Sequence, residues 1–199
     1  MTAELPLLVI VSGAPGAGKT TLARGLASKL GLALLSKDEI KEAIGDAVGT
    51  VADVPASQRL GVAAYRVLFG LAARQVAVGV GTVIESNFRA GRSEAEIRSV
   101  ASGADARLVH CTANPLIIQA RYAARFARGE RHPVHFDGAR AGALEQDVAE
   151  GRYEPLELDI PQIVVDTENG YEPGLDEICA FLGDRSVVGA RTPELELAR

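Results

Sequence analysis

Apolar and polar positions along the chain follow two different periods, and the switches between them mark out the elements. Leu7-Leu8-Val9-Ile10-Val11 is an unbroken apolar run, which suits a central parallel strand buried on both faces and ending near Ser12. A helix follows from about Lys19 to Leu30 and stops at Gly31, a residue that tolerates the left-handed turn after a helix. Leu32 to Leu35 reads as a short second strand. Ser36-Lys37-Asp38-Glu39 then opens a helix with a capping-box pattern, running to about Ile44 and ending near Gly45. Residues 45–54 read as a loop. From Pro55 to about Val78, Leu60, Ala64, Leu68 and Leu71 recur at helical spacing, while Arg59, Arg66 and Arg74 form a solvated face. Thr82-Val83-Ile84 is a third strand, Ser93 to Ala101 a helix, and Ala106 to Cys111 a fourth strand. Asn114-Pro115 supplies an N-cap and first-turn pair for a helix to about Arg128. A polar loop, Gly129 to Gly138, separates it from a helix over about Ala139 to Glu150. Ile163-Val164-Val165 is a fifth strand and Gly174 to Leu182 a last helix, leaving 183–199 as a tail.

Strands that alternate with helices give an α/β fold with a parallel sheet. Ligands of such sheets sit at the carboxyl ends of the strands. The residues just past each strand are therefore expected around one crevice, which narrows the search for chemistry.

The first of those segments is Gly13-Ala14-Pro15-Gly16-Ala17-Gly18-Lys19-Thr20, a G-x-x-x-x-G-K-[ST] (Walker A) phosphate loop between a strand and a helix. Its glycines let successive backbone N–H groups face one phosphate chain, and the helix adds the positive end of its dipole. Lys19 would reach the β- and γ-phosphates and the Thr20 hydroxyl would hold Mg²⁺, with Thr21 beside it on the nucleotide. Asp38, two residues past the second strand, can accept a proton from an attacking hydroxyl and orient it. Glu85 ends the third strand, where an acid can hold Mg²⁺ through water. Ser86, Asn87 and Phe88 beside it, with Lys41, His132 and His135, are candidate substrate contacts. Arg121, Arg125 and Arg128 fall on one helix face. They could fold over the nucleotide, with Arg121 and Arg125 serving transfer, so 121–138 reads as a lid. Asp166 and Thr167 border the base of the nucleotide or cap a turn.

Composition changes this picture in two places. The net charge of −5 in 199 residues argues against a protein that grips nucleic acid along its backbone. Cys111 and Cys179 make neither a disulfide framework nor a metal site, and a reducing cytoplasm fits them. The N-terminal apolar run reads as a strand rather than a signal peptide, and no membrane association is expected.

Gly13–Thr20, Ser36-Lys37-Asp38-Glu39-Ile40, Ile84-Glu85-Ser86-Asn87-Phe88 and the arginine-bearing helix with its His132-Pro133-Val134-His135 loop resemble P-loop kinases of the zeta-toxin and polynucleotide-kinase type. These are AAA-type ATP-binding enzymes. The resemblance covers residues 7–182. It implies a P-loop NTPase fold, a five-stranded parallel sheet flanked by helices, nucleoside-monophosphate-kinase-like with a helical lid, in one domain over 1–182. It also implies ATP with Mg²⁺, and phosphorylation of an alcohol with Asp38 as base. Glutamate at 85 stands where that family carries aspartate. The reading drawn from the sequence is a kinase acting on a hydroxyl of a small molecule, whether metabolite, sugar or antibiotic. Its rivals are a polynucleotide 5′-hydroxyl kinase and a nucleotide-dependent switch that only hydrolyses ATP.

Overall fold

The computed structural model describes residues 4–49, 51–129 and 131–183. The expected tail from 184 onward lies outside the described residues. Five strands form one parallel sheet: β1 (Leu7–Gly13), β2 (Ala33–Ser36), β3 (Thr82–Glu85), β4 (Asp105–Thr112) and β5 (Gln162–Asp166), in spatial order β2-β3-β1-β4-β5. β1 is central because its residues are apolar on both faces. Val9 and Val11 pack on one side with Leu22 and Leu26 of α1 (Lys19–Leu30) and Ile178 of α7 (Leu175–Gly183). Leu8 and Ile10 pack on the other with Leu68 and Ala72 of α3 (Val54–Ala77) and Ile97 of α4 (Glu94–Ala101). Two apolar layers thus enclose the sheet, as a buried parallel sheet requires.

The order of strands also places a crevice. The chain leaves β1 toward the β2 edge and leaves β3 toward the β4 edge, so the loops after these two neighbouring strands diverge. A ligand fits where they part. The loops are the phosphate loop and the segment beginning at Glu85.

Several local expectations are corrected by long-range contacts. Ser36 does not cap its helix, α2 (Lys37–Val48); its hydroxyl donates instead to Glu85 Oε2 at 2.8 Å, the residue beside it in register on β3. Glu39, the other half of the expected capping box, pairs with Arg24. Gly45 does not end α2, which continues to Val48. It is needed for closeness, because a Cβ there would stand 2.9 Å from Val134 Cγ2. The expected stripe on α3 is shifted: Ala64 and Leu68 are buried together with Ala72 and Val76, whereas Leu71 is exposed. Within the expected polar loop, Pro133–His135 forms a single 3₁₀ turn and α6 (Asp137–Ala149) begins earlier than its apolar pattern indicated. α5 (Pro115–Ala127) is capped by Asn114, whose side-chain oxygen accepts from Leu116 N. No described helix is long and apolar enough to cross a membrane.

Candidate active site

The phosphate loop is shaped by two close approaches. Gly13 has φ 139° and a Cβ there would lie 2.2 Å from the Cys111 carbonyl oxygen on β4; Gly16, at φ 92°, would put one 2.7 Å from the Ile118 carbonyl oxygen. Neither site admits a side chain, so glycine lets the loop curl against β4 and α5. Ala17 N donates to the Ala14 carbonyl at 3.0 Å and closes the curl. Lys19 begins α1 and folds back, its ammonium donating to the same carbonyl at 2.8 Å. Ala14 and Ala17 are buried and contribute backbone alone, while Pro15 reaches the crevice. A glycine-rich curl leading into a helix N-terminus, with a lysine over it, has the form that a phosphate chain fills.

The crevice collects side chains from just past β1, β2 and β3 and from α5. Lys19, Thr20, Asp38, Glu85, Asn87 and Arg125 line it together. Burial pushes the Glu85 carboxyl up, partly offset by Lys19 and by the hydrogen bond from Ser36. Burial pulls the Lys19 ammonium down, partly offset by Glu85 and Asp38. Thr20 and Glu85 supply oxygen donors, and Mg²⁺ needs few of these from protein because it retains waters and takes phosphate oxygens. The residues present fit that ion.

Asp38 is countered by two cations. Lys37 Nζ stands 3.0 Å from Oδ1 and Arg131 Nη1 3.3 Å from Oδ2. Burial pushes its carboxyl up, but Lys37, His135 and Arg131 outweigh this and hold it well below the usual carboxylate range. Lys37, within the Ser36–Ile40 motif, and Arg131, at the edge of the lid loop, were given no site role from the sequence. Lys37 adjoins Asp38 in the chain, a signal that was available. Arg131 comes from 93 residues away and no spacing rule reaches it. Arg89, Asp147 and Tyr153 were missed for the same reason: Arg89 donates to Asp147, and the Tyr153 hydroxyl donates to the same carboxylate at 3.2 Å. Asp147 and Tyr153 line the crevice.

The lid-helix arginines separate. Arg121 donates to the Thr167 carbonyl at 2.6 Å, the Glu168 carbonyl at 2.9 Å and Thr167 Oγ1 at 3.2 Å. It is thereby held at the loop after β5, not over Asp38 as a transfer role anticipated. With Gly18, Thr21, Arg128, Thr167 and Tyr171 it lines a neighbouring hollow of about 550 Å³. Arg125 lines both the hollow and the crevice. Thr167 Oγ1 lies 3.2 Å from the Ala17 carbonyl and packs on Gly18, tying this loop to the phosphate loop. Asp166 caps its own turn, accepting from Glu168 N at 2.8 Å.

The anticipated substrate contacts also divide. Asn87 lines the crevice, and His135 does so while its Nε2 lies 2.8 Å from Glu42. Burial lowers the His135 imidazole, with Asp38 opposing. His132 is used structurally: its Nδ1 accepts from Val134 N and its Nε2 donates to Asp46 at 2.9 Å. Phe88 is corrected outright. It is 0 % exposed and packs its ring with Tyr65 and Phe69 in the core beneath the sheet. Ser86 is buried and lies 2.8 Å from the Tyr65 hydroxyl. Lys41, 2 % exposed, donates to Ser57 Oγ at 2.7 Å, and Ser57 donates to the Val134 carbonyl, so this chain ties α2 and α3 to the 3₁₀ turn.

A five-stranded parallel sheet flanked by helices, with this loop at the end of its central strand, is a P-loop NTPase fold. The chain belongs to the AAA domain family AAA_33, whose model matches residues 8–148. Among solved structures it is similar to a candidate kinase from Chloroflexus aurantiacus, with 33% identity over 90% of this chain and 97% of that one, at a TM-score of 0.80. A gluconokinase from Sinorhizobium meliloti shares the fold at 15% identity, covering 90% of this chain and 93% of that one with a TM-score of 0.55. So does the Mycobacterium tuberculosis APS kinase in complex with AMPPNP and APS, at 16% identity, 92% and 100% coverage and a TM-score of 0.59. No curated protein matches the chain.

Proposed function

We propose that the protein is an ATP-dependent phosphotransferase of the zeta-toxin and polynucleotide-kinase type, moving the γ-phosphoryl group of ATP to a hydroxyl of a small molecule. One observation carries this reading: a phosphate loop and the Asp38 carboxylate line the same crevice as an arginine from the helix beyond. The family assignment and the kinase relatives named above support it.

The backbone of 13–20 and Lys19 hold the β- and γ-phosphates. Thr20 and, through water, Glu85 hold Mg²⁺, which when bound would neutralise phosphate charge. Arg121, fixed at Thr167, lines the hollow for the nucleoside end of ATP. The acceptor hydroxyl oxygen bonds to the γ-phosphorus as the bond to the bridging oxygen breaks and ADP leaves. Asp38 orients that hydroxyl and takes its proton. Bond formation to the nucleophile is slight in a loose transition state, so the proton leaves late and a weakly basic carboxylate suffices. Arg125 faces the charge that spreads over the transferring group. Residues 121–138 act as the lid that keeps water out, since water admitted to the site would hydrolyse ATP.

The test is a screen of ATP consumption against hydroxyl-bearing metabolites, sugars and antibiotics, with phosphorylated product identified by mass spectrometry. Lys19→Ala is expected to abolish turnover. Calorimetry that detects no ATP binding by folded wild-type protein would overturn the reading.

A further inference from the structure

Beside the reaction crevice lies a larger cavity of about 820 Å³, bounded by α2, α3 and the loop after β3. Lys37 and Asn87 line both spaces, so the two adjoin. The volume is within the range that takes a whole small ligand. The phosphate loop and the hollow at Thr167 lie on the other side of the crevice, so this cavity is on the acceptor side of Asp38.

Its charge is lopsided. Lys37, Lys41, Arg66, Arg89 and Arg92 line it against one acid, Glu96, in a chain whose net charge is −5. Three of these cations have duties already described: Lys37 at Asp38, Lys41 at Ser57 and Arg89 at Asp147. The side chains of Arg66 and Arg92 are exposed and neither is paired with an acid among the described residues. Part of the same wall is aromatic: Tyr65 and Phe69 line it and stack with ring centroids 6.1 Å apart. Two guanidiniums beside an aromatic wall match an anionic group carried on a compact organic body, because a guanidinium fork pairs two oxygens of a phosphate or carboxylate at once.

We propose that the acceptor is an anionic alcohol, a small molecule whose phosphate or carboxylate group is held by Arg66 and Arg92 while its hydroxyl faces Asp38. The hydroxyl's fate rests on the phosphotransfer reading above; the binding of the anion does not. A nucleic acid would need cations along an extended track, and here they converge on one cavity.

Calorimetry without ATP tests the site with matched probes: ribose 5-phosphate against ribose, and glucuronate against glucose. Each anion is expected to bind at least tenfold more tightly than its neutral partner, and the two pairs separate phosphate from carboxylate recognition. Arg66→Gln and Arg92→Gln should each weaken the preferred anion by roughly tenfold, as expected for a hydrogen bond to a charged group. Arg74→Gln, an equal loss of charge at an exposed position of α3 away from the cavity, should change nothing. Equal binding of anion and neutral partner overturns the proposal, as does an Arg74→Gln effect as large as that of Arg66→Gln. Tighter binding of a 5′-hydroxyl hexanucleotide than of ribose 5-phosphate, by tenfold or more, overturns the small-molecule assignment. Arginine-dependent anion binding with no phosphoryl transfer to any alcohol supports this site and defeats the kinase reading. Transfer to neutral alcohols as fast as to their anionic partners does the reverse.

Discussion

Asp38→Asn is the substitution that separates phosphoryl transfer from ATP hydrolysis by a switch. The change keeps the shape of the side chain and one accepting oxygen, and removes the charge and the proton-accepting capacity. Its structural cost follows from what the carboxylate touches. Two ion pairs are lost, with Lys37 at 3.0 Å and Arg131 at 3.3 Å, and the Asp38 side chain is 34% exposed. Pairs of that kind each contribute up to about 1 kcal/mol. A chain of this length then loses only about 2–8 °C in Tm, and the variant should remain folded. Removing a negative charge from the phosphate crevice should leave ATP affinity unchanged or raise it by about a few-fold. Turnover of the acceptor should fall by about 10²–10⁴-fold, the contribution of a positioned general base. The assay is phosphorylated product by mass spectrometry, with ATP binding by calorimetry on the same preparation. Product formation within about threefold of wild type by a folded, ATP-binding Asp38→Asn protein would refute the reasoning. Glu85 would become the next carboxylate to test, although burial and its hydrogen bond from Ser36 give it a different setting.

Two more outcomes follow from the same geometry. Arg121→Ala should raise the KM for ATP with a smaller effect on kcat, because Arg121 holds the loop at Thr167, whereas Arg125→Ala should lower kcat with little change in ATP affinity; steady-state kinetics showing the two variants alike would contradict the division. His110 on β4 is buried with no partner for Nδ1 among the described residues, and burial, aided by Lys19, pulls its imidazole down to about 4. The unfolded chain, with an ordinary histidine near 6.5, then binds more protons between about pH 6.5 and 4, so stability present above 6.5 is lost as pH falls through that window. The loss amounts to about 3 kcal/mol, from roughly 2.5 pH units at 1.36 kcal/mol each. His110→Leu should abolish that share of the pH dependence in urea titrations at pH 7 and pH 4, and parallel stability curves for the two proteins would count against it.

What the sequence made legible was whatever is decided locally. The phosphate loop, the caps at Asn114 and Gly31, and the buried strands are each settled by residues within a few positions of one another, so spacing and composition reach them. The departures all come from partners distant in the chain. Ser36 had a good local signal for a cap, but parallel pairing sets it beside Glu85, and a buried carboxylate needs that hydroxyl more than an exposed helix end does. Gly45 had a good local signal for a helix end, but Val134 comes within reach of its Cα and the helix continues past it. Phe88 follows two polar residues at a strand end, where an exposed ring and a buried one leave the same trace in sequence. The aromatic cluster with Tyr65 and Phe69, contributed by α3, takes it into the core.

The lid arginines show why a helical face is weaker information than a motif. Spacing of i, i+4 and i+7 puts Arg121, Arg125 and Arg128 on one side of α5, and says nothing of what that side meets. Along one helix, four residues advance about 6 Å, enough to pass from the nucleoside end of a nucleotide toward its phosphates. Arg121 accordingly meets carbonyls of the loop after β5, while Arg125, one turn on, reaches the crevice that holds Lys19 and Asp38. The arginine that pairs with Asp38 is on neither turn: Arg131 follows the helix and is placed by the docking of the next segment on α3 and α2, through Ser57 to the Val134 carbonyl and His135 to Glu42. Its pairing is therefore a tertiary event. The charge balance at Asp38 depends on whether the segment around 131–135 is docked, a condition that no reading of residues 36–40 alone could supply.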